Sequence, residues 1–241
     1  MLRYLYNKKL MKTKEFHIIS AFPKILDSYY NESILKRAQK DKYIKIVNHN
    51  LRDFTNDKRK TIDDTPYGGG VGMVLMIEPI YKAWKSIKQS SSFGLRMPGK
   101  KTKSLTILLT PVGKAFKQQV ARDLSDYDQL IFICGHYEGV DARVNNFVDL
   151  KLSIGDYVLT GGELGAAVII DAVTRLVHGV LGNDQSTEDE SHSKEGVLEY
   201  PQYTKPETFK ARLTKKWSVP DILLSGHHAK INDWRENNRE K

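Results

Sequence analysis

A chain of 241 residues, 40% hydrophobic and 28% charged, is long enough to bury a sizeable core and reads as globular. It holds no apolar run of the roughly 20 residues needed to cross a bilayer, and its basic opening, MLRYLYNKKLMK, is too interrupted for a signal peptide's apolar region. A formal net charge of +9 favours a polyanionic partner, while the single cysteine, Cys134, excludes an intramolecular disulfide and a cysteine-based zinc site and fits a reducing, cytosolic setting.

Met11 is a candidate start, which leaves residues 1–10 as an extension. KEFHIIS and YIKIVNH have the character of strands, and the stretch between them turns helical near Pro23, with Ile25, Leu26, Tyr29 and Tyr30 at helical spacing. After the polar TNDKRKTIDDT comes PYGGGVGMVLMIEPIYKAWKSI, a glycine-rich loop leading to an apolar run and an amphipathic helix. QSSSFGLRMPGKKTKS is expected as a surface loop. LTILLT, LIFICG and VDLKLSIG read as buried strands, with a helix around Phe116, Val120 and Leu124 between the first two. Strands alternating with helices predict an α/β fold whose sheet is mostly parallel and covered by helices on both faces.

The stretch SIGDYVLTGGELGAAVIIDAVTR closes this unit with a long helix from about Glu163 to Val177. The acidic, polar GNDQSTEDESHSKEG has no large apolar residue and reads as an interdomain linker. The expected organisation is therefore a domain over residues 1–181, a linker over 182–195 and a small helical domain over 196–241. From VLEYPQYTKPETFKARLTKKW onward the pattern is helical, with Ser218 as an N-cap and Pro220 in the first turn of one helix. Residues 205–241 hold nine Lys or Arg against five Asp or Glu, a basic surface suited to phosphate.

Ligands in parallel α/β folds sit at strand ends, and three strand ends here carry glycine: LTPVG, CGHYEG and SIGDYVLTGG. Each glycine either lets backbone approach a ligand or makes a tight turn; three such loops together point to one pocket. No G-x-G-x-x-G follows the first strand, which disfavours a dinucleotide fold. GLRMPGKK falls short of a P-loop, because Lys101 stands where Ser or Thr must reach Mg²⁺ and a strand follows it.

Taken together, PYGGGVGM, LTPVG, CGHYEGVDAR, SIGDYVLTGGEL, VLGN, YPQYTKP and VPDILLSGHHAKI resemble the bacterial tRNA (guanine-N1)-methyltransferases, of the SPOUT class of trefoil-knotted methyltransferases. The similarity runs from about Met11 to Arg235. It implies a deep knot, S-adenosylmethionine as methyl donor, a homodimer whose second subunit completes the site, a helical tRNA-binding carboxy-terminal domain and a cytoplasmic enzyme. The implied reaction methylates N1 of the guanosine at position 37, just 3′ of the anticodon.

By the same resemblance, Leu108, Leu109, Thr110 and Pro111 form the first wall of the donor site, and Gly135, Tyr137 and Glu138 the second. Ser153, Ile154, Gly155, Tyr157, Leu159, Gly161 and Gly162 form the third, with backbone near Gly155, Gly161 and Gly162 approaching the adenosine. Leu108, Leu109, Ile154 and Leu159 also read as ordinary core. Cys134 reads as a small buried hydrophobe, since N1 methylation needs no covalent enzyme intermediate. His136 stands where many relatives have arginine and reads as a lone exposed histidine.

Guanine N1 carries a proton at neutral pH, so methyl transfer needs a base at N1 and a cation near O6. Arg175 matches the family arginine assigned to O6; it also reads as a helix C-terminal cation favoured by the macrodipole. The family's catalytic aspartate precedes a serine, and here that position is Glu190, before Ser191. Asp189 is the alternative base if the segment shifts register. Substrate RNA is expected on the basic carboxy-terminal helices and on Lys58, Arg59 and Lys60. Mg²⁺ dependence fits the family, although the sequence shows no metal-ligand cluster. The rival readings are an RNA-binding protein without catalysis and a SPOUT enzyme acting on ribose or ribosomal RNA.

Overall fold

The structure is a computed structural model that describes residues 12–93, 102–181, 191–192, 197–212 and 215–239. The chain divides into two compact units, Met1–Gly182 and Asn183–Lys241.

In the first unit, strands β1 (Lys14–Ser20), β2 (Ile44–Asn50), β5 (Ser104–Ala115), β6 (Gln129–Cys134) and β7 (Leu150–Ser153) form one sheet in the order β2-β1-β6-β5-β7. All four pairings are parallel. The expected strands KEFHIIS, YIKIVNH, LTILLT, LIFICG and VDLKLSIG are thus all present. A short antiparallel pair, β3 (Asp63–Asp64) with β4 (Val74–Leu75), precedes helix α3 (Ile77–Phe93).

Alternation along the strands sorts the core into two layers. Phe16, Ile18, Ile107, Leu109, Leu130 and Phe132 pack toward α2 (Ser33–Lys40), α4 (Gln118–Ser125) and α5 (Glu163–Arg175). Ile19, Leu108, Ile131 and Ile133 face the other way, toward Ile80, Ala83 and Ile87 of α3 and Leu51 and Val144 of two 3₁₀ turns, Leu51–Phe54 and Ala142–Asn146. Helices therefore cover both faces, as a buried parallel sheet requires.

The sequence expectation differs from the structure at several boundaries. The helical stretch between β1 and β2 begins at Asp27 and is broken into the single turn α1 (Asp27–Tyr30) and α2 (Ser33–Lys40); Tyr30 is buried, while Tyr29 and the preceding Ile25 stay exposed. Helix α3 continues through Phe93, into the stretch read as a loop.

In the second unit, α6 (Asp221–Leu224) and α7 (His228–Asn237) are helical as expected, but the described residues before them are not. Thr208–Lys210 (β8) and Lys216–Ser218 (β9) pair as an antiparallel hairpin. Ser218 is consequently in a strand and not a cap; Val219 N–H continues the hairpin by donating to Glu207 O at 2.8 Å, and Pro220 takes the N-cap position of α6.

Candidate active site

The carboxyl ends of β5, β6 and β7 meet around a cleft of about 440 Å³, within the usual range for small-molecule sites. The first wall arises because β5 does not stop at Leu109. Its pairing with β7 jumps from Leu109↔Leu152 to Lys114↔Leu152, so Thr110–Gly113 bulge out between two paired stretches. Gly113 is held where only glycine fits: a Cβ there would lie 2.6 Å from the backbone N and C of Leu152. Phe116 N–H then donates to Ser153 O at 2.8 Å and closes the bulge onto the third wall.

The second wall follows β6. Gly139 N–H donates to His136 O at 3.0 Å, turning the loop back on itself, and Tyr137 adopts a positive φ of 58° within it. The glycine-rich PYGGGVGM segment leans on this wall: Glu138 N–H donates to Met73 O at 3.1 Å and Leu75 N–H to Gly139 O at 3.0 Å.

The third wall runs from β7 into α5. Ser153 Oγ donates to Gly155 O at 2.9 Å, and Tyr157 OH donates to Ile154 O at 3.3 Å. Gly162 N–H donates to Gly135 O at 2.9 Å and joins this wall to the second. A Cβ on Gly162 would meet Cys134 Cα at 2.9 Å and Leu109 Cβ at 3.0 Å, so bare backbone at this point lets the three walls close on each other.

Behind the walls, Glu163 is buried at the start of α5, and Ser20 Oγ donates to its Oε1 at 2.5 Å. Cys134 is fully buried; burial first, and the Glu163 carboxylate second, push its thiol well above the ordinary range. A thiol so held stays protonated at neutral pH and cannot serve as a nucleophile.

A family model described as tRNA (Guanine-1)-methyltransferase TrmD matches residues 14–241. The chain belongs to this family. It is 50% identical over 220 residues to the tRNA (guanine-N(1)-)-methyltransferase of Carboxydothermus hydrogenoformans, covering 91% of this chain and 80% of that one. It is 47% identical over 219 residues to the protein of the same name from Dehalococcoides mccartyi, covering 90% and 82%. Among solved structures, the tRNA (m1G37) methyltransferase from Aquifex aeolicus matches with a TM-score of 0.73 and 34% identity, over 93% of this chain and 91% of that one.

All the residues that the family resemblance assigns to the donor site line this single cleft, from Leu108, Leu109, Thr110 and Pro111 through Gly135, Tyr137 and Glu138 to Ser153, Ile154, Gly155, Tyr157, Leu159, Gly161 and Gly162. Leu108 and Leu109 serve as core and lining at once. Arg175 ends α5, half-buried. Asp189 and Glu190 lie outside the described residues, as does Lys101.

His136 is a correction. It is not a lone exposed ring: it is half-buried, with Phe22 at 4.7 Å and Tyr137 at 5.0 Å between centroids, and it lines the cleft. Its Nδ1 is buried with no hydrogen-bond partner among the described residues.

The cleft also includes residues that sequence reasoning passed over. Lys151 had a signal, since it alternates with the inward Leu150 and Leu152. Ala142 and Asn145 had none, because they arrive on a 3₁₀ turn that no periodicity marks.

Proposed function

We propose that this cleft holds S-adenosylmethionine and that the residues around it, with those of the interdomain segment, carry methyl transfer to N1 of guanosine 37 in tRNA. Membership in the family makes the chain a tRNA (guanine-N1)-methyltransferase with S-adenosylmethionine as donor; the assignment of roles is ours. One observation carries it: the bulge of β5 and the loops that follow β6 and β7, three neighbouring parallel strands, close on one cleft of small-molecule size.

The cleft suits this donor chemically. Leu108, Leu109, Ile154 and Leu159 offer apolar walls to a purine, while backbone at Gly135, Gly155 and Gly161 offers hydrogen-bonding groups at close range. The exposed carboxylate of Glu138 complements the donor's sulfonium and ammonium charges. The donor supplies an electrophilic methyl group. The protein's own task is to take the N1 proton and to steady charge at O6. We assign O6 to Arg175 and the proton to Glu190, with Asp189 as the alternative base. Ser191, next in the chain, is anchored by accepting Glu199 N–H at 3.0 Å.

The homodimer belongs to the proposal as well. On α5, Leu164 is 53% and Val168 45% exposed, one helical turn apart, and Tyr29 OH donates to Asp171 Oδ2 at 2.6 Å beside them. A second copy covering this apolar stripe would offset its exposure and bring a second subunit to the site. Among the described residues no helix is long and apolar enough to cross a membrane; a cytoplasmic location, where tRNA is found, is part of the proposal. The knot, and tRNA contacts from Lys58, Arg59, Lys60 and the carboxy-terminal helices, complete the proposal. Among the described residues no group of three or more His, Cys, Asp or Glu is placed to hold a metal ion; titrating activity with Mg²⁺ against a chelator tests the proposed dependence.

Calorimetry and single-turnover transfer separate binding from chemistry. Arg175→Ala and Glu190→Gln are expected to bind S-adenosylmethionine as the unaltered protein does and to transfer methyl about 100-fold more slowly or worse. Full transfer by either variant refutes that residue's role.

A further inference from the structure

The β8–β9 hairpin of the second unit has two chemically distinct faces. In an antiparallel ribbon directly opposed residues share a face, and Phe209 is opposed to Trp217. Their rings stack at 5.8 Å between centroids with 25° between planes, yet Phe209 remains 51% and Trp217 56% exposed. The next pair along the same face brings in Lys215, whose Nζ stands 5.7 Å from the centre of the Trp217 ring. An aromatic pair kept half in water, with an ammonium beside it, has not been folded into a core.

The opposite face pairs Lys210 directly with Lys216. Like charges at directly opposed positions destabilise a ribbon. Both side chains are exposed, as is Arg212 at the end of the hairpin, and neither lysine has an ion-pair partner among the described residues. An anion bridging the two ammonium groups would turn that repulsion into attraction.

Aromatic faces that stack a base, flanked by cations that take the neighbouring phosphates, are the two components of single-stranded nucleic-acid recognition. We infer that the hairpin is an RNA-gripping element: an unpaired nucleobase of the tRNA substrate stacks on Phe209 and Trp217 while Lys210 and Lys216 clamp an adjacent phosphate. The inference rests on the tRNA-methyltransferase reading and adds a named contact to it. The occupant is an unpaired base and not a duplex, because stacking needs a free base face. Protein partners are disfavoured by the cluster of Lys210, Arg212, Lys215 and Lys216 within seven residues.

The test compares two RNA probes, an anticodon stem–loop and a blunt duplex of the same stem, and three variants of the full chain. Trp217→Ala should weaken stem–loop binding about tenfold, equivalent to about 1.4 kcal/mol, within the range for one stacked base. It should leave duplex binding unchanged. Trp217→Phe should restore most of the loss, since any aromatic face stacks. Lys216→Gln should weaken binding and reduce the slope of log affinity against log salt by about one. In steady-state assays Trp217→Ala should raise KM for tRNA far more than it lowers kcat, with S-adenosylmethionine affinity retained as evidence of an intact first unit.

Equal losses on both probes, or no loss on the stem–loop, overturn the inference. So does a Trp217→Phe variant as weak as Trp217→Ala, which would reduce the pair to a prop for the hairpin. If the unaltered protein transfers methyl to tRNA while these contrasts fail, only the hairpin assignment falls. Absence of transfer in the unaltered protein would instead fault the functional reading.

Discussion

Replacing Gly113 by alanine tests how the cleft is made. The added Cβ would lie 2.6 Å from the N and C of Leu152 and 2.7 Å from its Cα. Unstrained carbon contacts need about 3.5–4.0 Å, so β5 and β7 must part locally by about 1 Å. The obstacle is backbone in the sheet, which cannot rotate aside as a side chain would. Overpacking of this kind costs about 1–3 kcal/mol of stability, leaving a folded protein. The larger effect falls on the site, because Gly113 ends the bulge that carries Thr110 and Pro111, and the adjoining Phe116–Ser153 hydrogen bond ties that bulge to the third wall. A displacement of about 1 Å in such a site costs on the order of 100-fold in rate. The assay is calorimetric titration with S-adenosylmethionine beside initial-rate methyl transfer, after thermal melting has shown the variant to be folded. A folded Gly113→Ala protein that binds donor and turns over within about threefold of the unaltered protein would refute the reasoning.

Two further outcomes follow from exposed and buried groups. Leu164→Glu together with Val168→Glu places charge on the apolar stripe of α5; light scattering is expected to show monomers, and transfer should fall with the dimer. A dimer that persists in this double variant would remove the stripe from the interface. His49 accepts or donates a hydrogen bond with His17 at 2.9 Å, and its pKa is lowered from 6.5 to about 4, mainly by burial and then by His17 and Lys45. Between these values the unfolded chain binds the proton more readily than the folded one, so this contribution to stability is intact above pH 6.5 and is lost as pH falls toward 4. Chemical denaturation across that range should show a steeper acid decline for the unaltered protein than for His49→Gln, by at most about 1.4 kcal/mol per pH unit. Parallel declines would show that His49 does not govern it.

The sheet was legible because its strands are buried on both faces and so read as short, nearly continuous apolar runs, with Phe16, Ile18, Leu130 and Phe132 packed to one side and Ile19 and Ile131 to the other. The second half of β5 was not, since Pro111 and Gly113 read as a turn, and the strand resumes only through pairing with Leu152 and Ser153 some forty residues away. The β8–β9 hairpin escaped for a different reason. All six of its strand residues are exposed, so no alternation of burial reaches the sequence. For the site, composition and spacing led to three glycine-bearing strand ends, and the family resemblance supplied the individual residues. His136 shows the limit of both: its packing between Phe22 and Tyr137 depends on the β1 end meeting the β6 loop, which a linear reading does not contain.

The central claim is methyl transfer to guanine N1 at position 37. Its direct test is incubation of the protein with radiolabelled S-adenosylmethionine and two tRNA transcripts, one with guanosine and one with adenosine after the anticodon, followed by mapping of the label. The account predicts label on the first transcript alone, at N1 of that guanosine. Label on the adenosine transcript, on a ribose hydroxyl, or on neither transcript while a positive control is labelled would contradict it.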